Sequence, residues 1–541
     1  MTRQSLVSLL LILAIAAIVR FWGLGFGLPH TDVRPDENFV ILVPRAFLAG
    51  NFKPAFYDYP WLYMWALTLV YLGYYVWGLV TGAFHAFPDL IKSWPVHWEP
   101  FFLLNRGLSA TLGTATVAVV FWIGRRLWTE TTGLVAAFFL SVAFLHVRDS
   151  HFGTTDVAMT FLVMVAIALL IDSQRTGKRL TLVGAVSGLA AATKYNALLL
   201  AVPVALVELW RAAIGRDSGW RSLAPRLMLF STAFLLALLV GIPFVLLDTN
   251  RFLEAMAALR QAMQLGQGQA PASGTLVGWL YHLQVSLRFG LGVPLLATGL
   301  VGMLAIIVRT PAIGLLLFSF PIAYYAVAGS LKLLFVRYAL PCIPFLCLSA
   351  AWVVCTIAER LSAGAPGRRR AFLVTAIVVG LSVAVAVPSA LAVWQFDRLI
   401  SRADNRVVVG RWINAHVPPN SSVLQSGSAY GHAQFDPSHR YQVWVWDRRE
   451  HIFKLNKVPA AGQPDWILLQ ESPLPSETQP VVKEFLTKDY VLVQNFVALS
   501  IDDTHVYDQQ DAFFVPVAGF AGIERPGPNF AVFRRAGAAI E

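Results

Sequence analysis

The sequence predicts a polytopic α-helical membrane protein carrying a small soluble α/β domain at its C-terminal end. Three observations predict it. Apolar residues make up 57% of the 541-residue chain and charged residues only 13%, too few polar groups to cover a soluble surface of this size. The apolar residues gather in blocks of about 20, the length that crosses the hydrocarbon core of a bilayer. Near residue 393 the pattern changes, and short alternating and helical stretches replace the blocks.

The first block, 6–22, follows Arg3 and lacks a clear small-residue cleavage site, so it reads as a retained first helix. Further spans are expected at roughly 104–123, 131–147, 156–172, 180–194, 196–211, 227–247, 289–308, 312–329, 338–358 and 371–392, about eleven crossings in all. The chain carries a net charge of +11. Its Lys and Arg residues cluster in the short connections: Gly124-Arg125-Arg126, 175–179, 211–226, Arg309 and 359–370. That is the positive-inside pattern, and it accounts for the basic balance without nucleic acid. It sets the N-terminus in the cytoplasm of a cell inner (plasma) membrane protein. An odd number of crossings then sets the C-terminal domain outside. The block 61–82 is also long enough to cross, but crossing would move the basic loop at Arg125 to the outer face. It holds Trp61, Tyr63, Trp65, Tyr71, Tyr74, Tyr75 and Trp77, residues that favour the headgroup level, so a helix along the outer interface is expected.

Two domains follow, 1–392 in the membrane and 393–541 outside it. In the second, 404–416 reads as an amphipathic helix with Trp412 and Ile413 inward, stopped at Pro418-Pro419-Asn420. Strands are expected at 422–425, 441–446, 466–470, 490–497 and 530–533. There is no internal repeat. Cys342, Cys347 and Cys355 all lie in one apolar block, which leaves no disulfide framework for the soluble domain and no metal-binding spacing.

Ionisable residues at membrane depth are costly, so they mark candidate chemistry. Arg34-Pro35-Asp36-Glu37 follows the first span in an otherwise apolar and aromatic loop. A carboxylate there suits a general base that takes a proton from an attacking hydroxyl or amine, its neighbour orienting it; a solvated loop is the plainer alternative. The second cluster is His146, Arg148, Asp149, His151 and Asp156, five ionisable residues in eleven positions. Asp156 could simply cap the following helix. Otherwise Asp and His could hold a divalent ion, or Arg and His a phosphate. Lone basic residues beside aromatics, Lys194-Tyr195, Lys332 and Arg337-Tyr338, sit at expected outer helix ends, the wrong side for positive-inside anchors. Snorkelling would explain them; so would binding a phosphate. His282 and Arg288 hold a similar position before the 289–308 span. Carboxylates, cations and aromatic surface on one outer face suit a substrate with a phosphate headgroup on a lipid tail.

Read in order, these pieces resemble the polytopic GT-C glycosyltransferases. The nearest resemblance is to the protein O-mannosyltransferase and aminoarabinose transferase branch, glycosyltransferase family 39 and its bacterial relatives. The pieces are Arg20-Phe21-Trp22, Asp36-Glu37, Tyr59-Pro60-Trp61-Leu62-Tyr63, Asn105-Arg106-Gly107-Leu108-Ser109 with Gly124-Arg125-Arg126, His151 through Asp156, Thr193-Lys194-Tyr195, Pro243-Phe244 with Leu247-Asp248, and Arg337-Tyr338 with Leu340-Pro341. The resemblance implies a GT-C membrane domain with interfacial helices in the first outer loop. It implies a polyprenyl-phosphate sugar donor, transfer on the extracytoplasmic face to a lipid, glycan or protein acceptor, and contact with membrane lipids. Carried over residue by residue, it makes Asp36 the base with Glu37 in support and matches Asp156 to the acidic residue of the second outer loop. The chain departs from the family in having Tyr59-Pro60 where Pro-Pro is usual, and its C-terminal domain shows no sugar-binding repeat. Inverting displacement is the expected chemistry, with Arg34, Arg148, His151, Lys194, Tyr195, Lys332, Arg337 and Tyr338 around the substrate. No cofactor is required by this reading, and a divalent cation stays open. The rival is a transporter or flippase for lipid-linked sugars, which would carry repeated halves and helices broken at the midplane.

Overall fold

The computed structural model describes residues 1–53, 56–176, 179–215, 219–265, 277–447, 450, 452–455, 458–460, 462–474, 480–501, 504–511 and 513–537. Parts of two basic connections, 177–178 and 216–218, lie outside the described residues. The chain forms two compact units, Met1–Leu24 with Phe39–Trp394, and Gly25–Asn38 with Gln395–Glu541.

The first unit is helical. Among the described residues, nine helices are long and apolar enough to cross a bilayer, or up to eleven when each of two bent helix pairs counts as one span. The expected spans match helices Arg3–Phe21, Glu99–Leu127, Thr155–Thr176, Trp220–Gly241, Pro311–Gly329, Ile343–Leu361 and Gly367–Ile400. Others are broken. Glu130–Ser141 and Phe144–Ser150 meet at 60°, and Val277–Leu291 meets Val293–Arg309 at 113°. The second bend falls on Gly292, whose φ of 74° a side chain would strain, with Pro294 opening the next helix. The span expected at 180–194 is the short helix Leu180–Thr193, 14 residues long. Its Gly184 and Gly188 lie against the backbone carbonyls of Phe230 and Phe234, where a Cβ would collide. Such small-residue contacts hold helices together where lipid removes the hydrophobic drive.

Leu62–Thr81 is a 20-residue helix that meets the length and hydropathy of a span. Part of its aromatic content has a packing role that its composition could not reveal. Trp61, Tyr63 and Tyr71 are buried. Tyr71 donates to the Phe101 carbonyl at 3.0 Å, and Tyr63 to the Asn105 side-chain oxygen at 2.9 Å. Both acceptors lie on Glu99–Leu127.

The second unit is built on a seven-stranded sheet: β1 Ser422–Gln425, β2 Gln442–Asp447, β3 Ile452–Leu455, β4 Val458–Pro459, β5 Trp466–Glu471, β6 Tyr490–Phe496 and β7 Asn529–Arg535. The order is β4-β3-β2-β1-β5-β7-β6. β1 pairs in parallel with β2 and β5, and the outer pairs are antiparallel. Side chains alternate faces along a strand. Val423, Trp466 and Leu468 therefore join one core with Val409 and Ile413 of helix Asn405–His416, while Leu424, Ile467 and Leu469 join another with Val482 and Leu486 of helix Pro480–Asp489. The expected helix and five strands are all present. β3, β4 and the Pro480–Asp489 helix are additions, too short or too weakly periodic to stand out in the sequence.

Candidate active site

In the first unit the chain places Asp156 in the first turn of Thr155–Thr176 rather than at its cap, where a carboxylate suits the helix dipole. Lys194 ends Leu180–Thr193 in an extended conformation (φ −154°, ψ 128°) that turns it off the helix. The two side chains meet: Lys194 Nζ donates to Asp156 Oδ1 at 2.5 Å, with 10% and 3% of the side chains exposed. The Lys194 Nζ lies 5.5 Å from the centre of the Tyr338 ring and 6.0 Å from that of Tyr59, an aromatic setting that favours a cation. Tyr338 and Arg337 belong to the 3-10 turn Val336–Cys342, all of it buried and packed against Thr155–Thr176, Phe144–Ser150 and Pro311–Gly329. The Arg337 guanidinium lies 4.4 Å from the centre of the Phe335 ring. Tyr195 donates to the Tyr57 carbonyl at 3.0 Å, and Tyr57 to Asp248 Oδ2 at 3.0 Å, which ties down the loop carrying Tyr59. Asp156, Lys194, Tyr195, Arg337 and Tyr338 thus share one set of packed elements. Lys332 does not join them by its side chain, which is exposed; its backbone N–H donates to the Met263 carbonyl at 3.1 Å.

Arg148 and His151, expected around the substrate, are both buried and bonded within the protein. Arg148 is buried, pairs with Asp149 at 3.2 Å and lies 5.1 Å from the Phe152 ring centre. Both His151 ring nitrogens approach backbone carbonyls at 2.9 Å, those of Val147 and Trp22. His146 Nδ1 lies 3.0 Å from Arg20 Nη2, and that nitrogen also donates to the Leu140 carbonyl at 3.0 Å. The reading of this cluster as a divalent-ion site finds no ligand set: among the described residues no three His, Cys, Asp or Glu could hold a metal together. Arg106 donates to the Leu24 carbonyl at 2.7 Å, and Asn105 to the Gly153 carbonyl at 3.0 Å. Arg20, Asn105, Arg106 and His151 knit the end of the first helix to Glu99–Leu127 and to residues 144–156. The His282 Nδ1 lies 3.0 Å from Ser286 Oγ.

Asp36 and Glu37 open the helix Pro35–Leu48, and residues 25–38 belong to the second unit. Glu37 is buried, whereas the Asp36 side chain is 25% exposed. Arg34 is buried, with Nη2 3.7 Å from Asp36 Oδ2 and Nη1 donating to Asp511 Oδ1. Arg34 is therefore engaged between two carboxylates within the protein. Asp511 was not legible as a site residue, since nothing in its neighbourhood repeats or spaces like a motif. Close by in chain order, Asn38 donates to Asp32 Oδ1 at 2.5 Å, and His30 Nε2 lies 2.7 Å from the His432 carbonyl. Burial, followed by the charge of Arg406, lowers the His30 pKa, and burial pushes His432 down to about 4. Asp404 caps Asn405–His416 and grips Arg406 at 2.9 and 2.7 Å. Burial alone would raise the Asp404 carboxyl, but the Arg406 charge and hydrogen bonds hold it below its usual range.

Residues 105–246 match the family model described as dolichyl-phosphate-mannose-protein mannosyltransferase. No curated protein sequence matches the chain. Among solved structures, ArnT from Cupriavidus metallidurans bound to undecaprenyl phosphate aligns with a TM-score of 0.55 at 14% identity, covering 98% of this chain and 99% of that one. Its apo form aligns with a TM-score of 0.53 at 14% identity over 97% of each chain. The Archaeoglobus fulgidus oligosaccharyltransferase in the apo form aligns at 0.52 and 12% identity, covering 78% of this chain. This chain spans 62% of the length of that archaeal protein. At these identities the likeness is one of fold: the chain has the architecture of ArnT and of the archaeal oligosaccharyltransferase, and residues 105–246 carry the family segment.

Proposed function

We propose that this chain moves a sugar from a polyprenyl-phosphate donor to an acceptor on the extracytoplasmic face of the membrane, by inverting displacement with a carboxylate base. The observation that carries the reading is the convergence of Asp156, Lys194, Arg337 and Tyr338 on one set of apolar helix ends in a GT-C fold. Cations in such a setting suit an anionic headgroup on a lipid tail. The comparisons support the donor class: ArnT is described with undecaprenyl phosphate, and the archaeal protein AglB with a dolichol-phosphate and an inhibitory peptide. AglB aligns with a TM-score of 0.51 at 11% identity, covering 80% of this chain and 63% of that one.

The roles follow from the chemistry. Asp36 accepts the proton of the acceptor hydroxyl or amine. The acceptor atom bonds to the anomeric carbon on the face opposite the phosphate, and the bond from that carbon to the phosphate oxygen breaks. The electron pair leaves with the lipid phosphate, whose charge Lys194 and Arg337 balance. A phosphate leaving group needs no general acid, so one carboxylate base is enough. Asp156 holds Lys194 in place, and Glu37 supports Asp36. The first-loop helix Leu62–Thr81 is assigned to the outer interface, with exposed Trp77, Val76 and Val80 toward lipid. A flippase would use the same cations but has no need of a base, so Asp36 separates the two readings.

The test is transfer of label from a panel of radiolabelled polyprenyl-phosphate sugars to cell-envelope extract by the purified full-length protein. Asp36→Asn should lose transfer by about 10²–10⁴-fold, the usual contribution of a positioned base. An Asp36→Asn protein that transfers at the wild-type rate would remove the assignment.

A further inference from the structure

The acid proposed as base belongs to the same compact unit as the C-terminal domain. Arg34 is buried, and its guanidinium is forked between two carboxylates, Asp36 in the first loop and Asp511 in the C-terminal sequence. Asp511 is itself buried and lies 477 residues from Arg34 along the chain. The two segments are pinned beside this contact as well. Phe26 and Phe513 meet edge to face at 5.8 Å between ring centres, and His30 reaches the His432 carbonyl at 2.7 Å. Asp511 also has local support, its backbone N–H donating to the Asp508 carbonyl at 3.1 Å. The guanidinium is planar, and its terminal nitrogens diverge at a fixed angle. Fixing one of them on Asp511 therefore fixes where the other is offered to Asp36.

We propose that Asp511 is a positioning residue for Asp36, acting through Arg34, so that the C-terminal domain sets the orientation of the first-loop carboxylate. The role rests on the proposed function in that Asp36 is taken as the base; the geometric tether does not. Asp511 touches no substrate in this scheme. It removes the freedom of Arg34, and Arg34 in turn keeps the Asp36 carboxylate in one direction.

The experiment is carboxylate footprinting of the full-length protein in detergent: carbodiimide coupling of glycine ethyl ester, read residue by residue by mass spectrometry. Asp511→Asn should raise labelling of Asp36 several-fold, while labelling of the buried Asp404 in the same unit stays at the wild-type level. Asp511→Glu should return Asp36 to near wild-type labelling. If Asp511→Asn also opens Asp404, the reading passes to Arg34→Lys, which keeps the charge but loses the fork, and Asp36 labelling should rise there with Asp404 quiet. Unchanged Asp36 labelling in Asp511→Asn, or in Arg34→Lys where that variant is the one read, overturns the tether. In the transfer assay Asp511→Asn should lower kcat with the KM for the lipid donor unchanged, and should add nothing in an Asp36→Asn background. The two ideas fail separately. An active Asp36→Asn protein removes the base and leaves the footprint intact, whereas a flat footprint removes the tether and leaves the base.

Discussion

The Lys194–Asp156 pair gives the sharpest test of the membrane unit. At 2.5 Å and an effective dielectric of about 20, the Coulomb attraction is about 7 kcal/mol before desolvation is subtracted. With 10% and 3% of the side chains exposed, most of that gain offsets the cost of drying both charges. Lys194→Met keeps the length of the side chain but strands a buried carboxylate, which costs about 3–5 kcal/mol. In a chain this long the unfolding entropy is about 1.1 kcal/mol/K, so the unfolding midpoint in detergent should fall by about 3–4 °C. Asp156→Asn strands the ammonium instead and should cost less, because Lys194 has two aromatic rings beside it and the larger exposed fraction. The double variant carries neither charge and should recover to within about 1–2 kcal/mol of wild type, the signature of a coupled pair. The measurement is a thermal melt of all four proteins, repeated with undecaprenyl phosphate. If the lysine also serves a phosphate, the lipid should stabilise the wild type and lose that effect in Lys194→Met. A double variant whose loss equals the sum of the single losses would refute the pairing argument.

Three more outcomes follow from the same geometry. Asp404→Ala removes both the cap of Asn405–His416 and the buried partner of Arg406, and should cost the second unit about 3–5 kcal/mol; hydrogen exchange across 405–416 left at wild-type protection would contradict it. His432, with a pKa near 4, and His30, also lowered, resist in the folded state a proton that the unfolded chain accepts near 6.5. Stability should therefore fall as pH drops from about 6.5 toward 4, by up to about 3 kcal/mol for His432 alone. The depressed Asp404 acts only below its unfolded value of about 3.9, so a melt series from pH 8 to 4.5 isolates the histidines, and a flat series would count against the effect. Gly153→Ala would drive a methyl into the Asn105 amide and break its bonds to Gly153 and Tyr63, costing about 1–3 kcal/mol; Asn105→Ala in the same chain should recover part of that loss in a melt, and no recovery would point elsewhere.

What could be read from the chain divides by the range of the interaction that decides it. Helix spans are written in local hydropathy, so 104–123 and 156–172 were legible to within a few residues of Glu99–Leu127 and Thr155–Thr176. The sheet was legible in the buried Trp466–Glu471 and in the seven-residue edge strand Tyr490–Phe496, and not in Ile452–Leu455, which is short and carries a charged Lys454. Lys194 and Asp156 stood out because a charge at an apolar helix end is expensive and must have a use. The same logic marked Arg148 and His151. Each has partners within the protein that the sequence cannot assign, Asp149 for one and the carbonyls of Val147 and Trp22 for the other. A buried polar residue signals only that some partner exists. Whether that partner is a ligand or a backbone carbonyl depends on which helices meet.

The placement of residues 25–38 carries this furthest. Adjacent in sequence to the first helix, they pack with a domain that begins at residue 395. The contacts that hold them, Phe26 with Phe513, His30 with the His432 carbonyl and Arg34 with Asp511, all await residues made several hundred positions later. Chains emerge from the N-terminus and fold by domains as they do so. The membrane helices can therefore insert and pack while the acidic loop still lacks its partners. On this order of events the segment bearing Asp36 reaches its packed form after the domain that supplies Asp511 has been made. A lesion in the C-terminal domain would then act on the first loop without disturbing a single membrane helix.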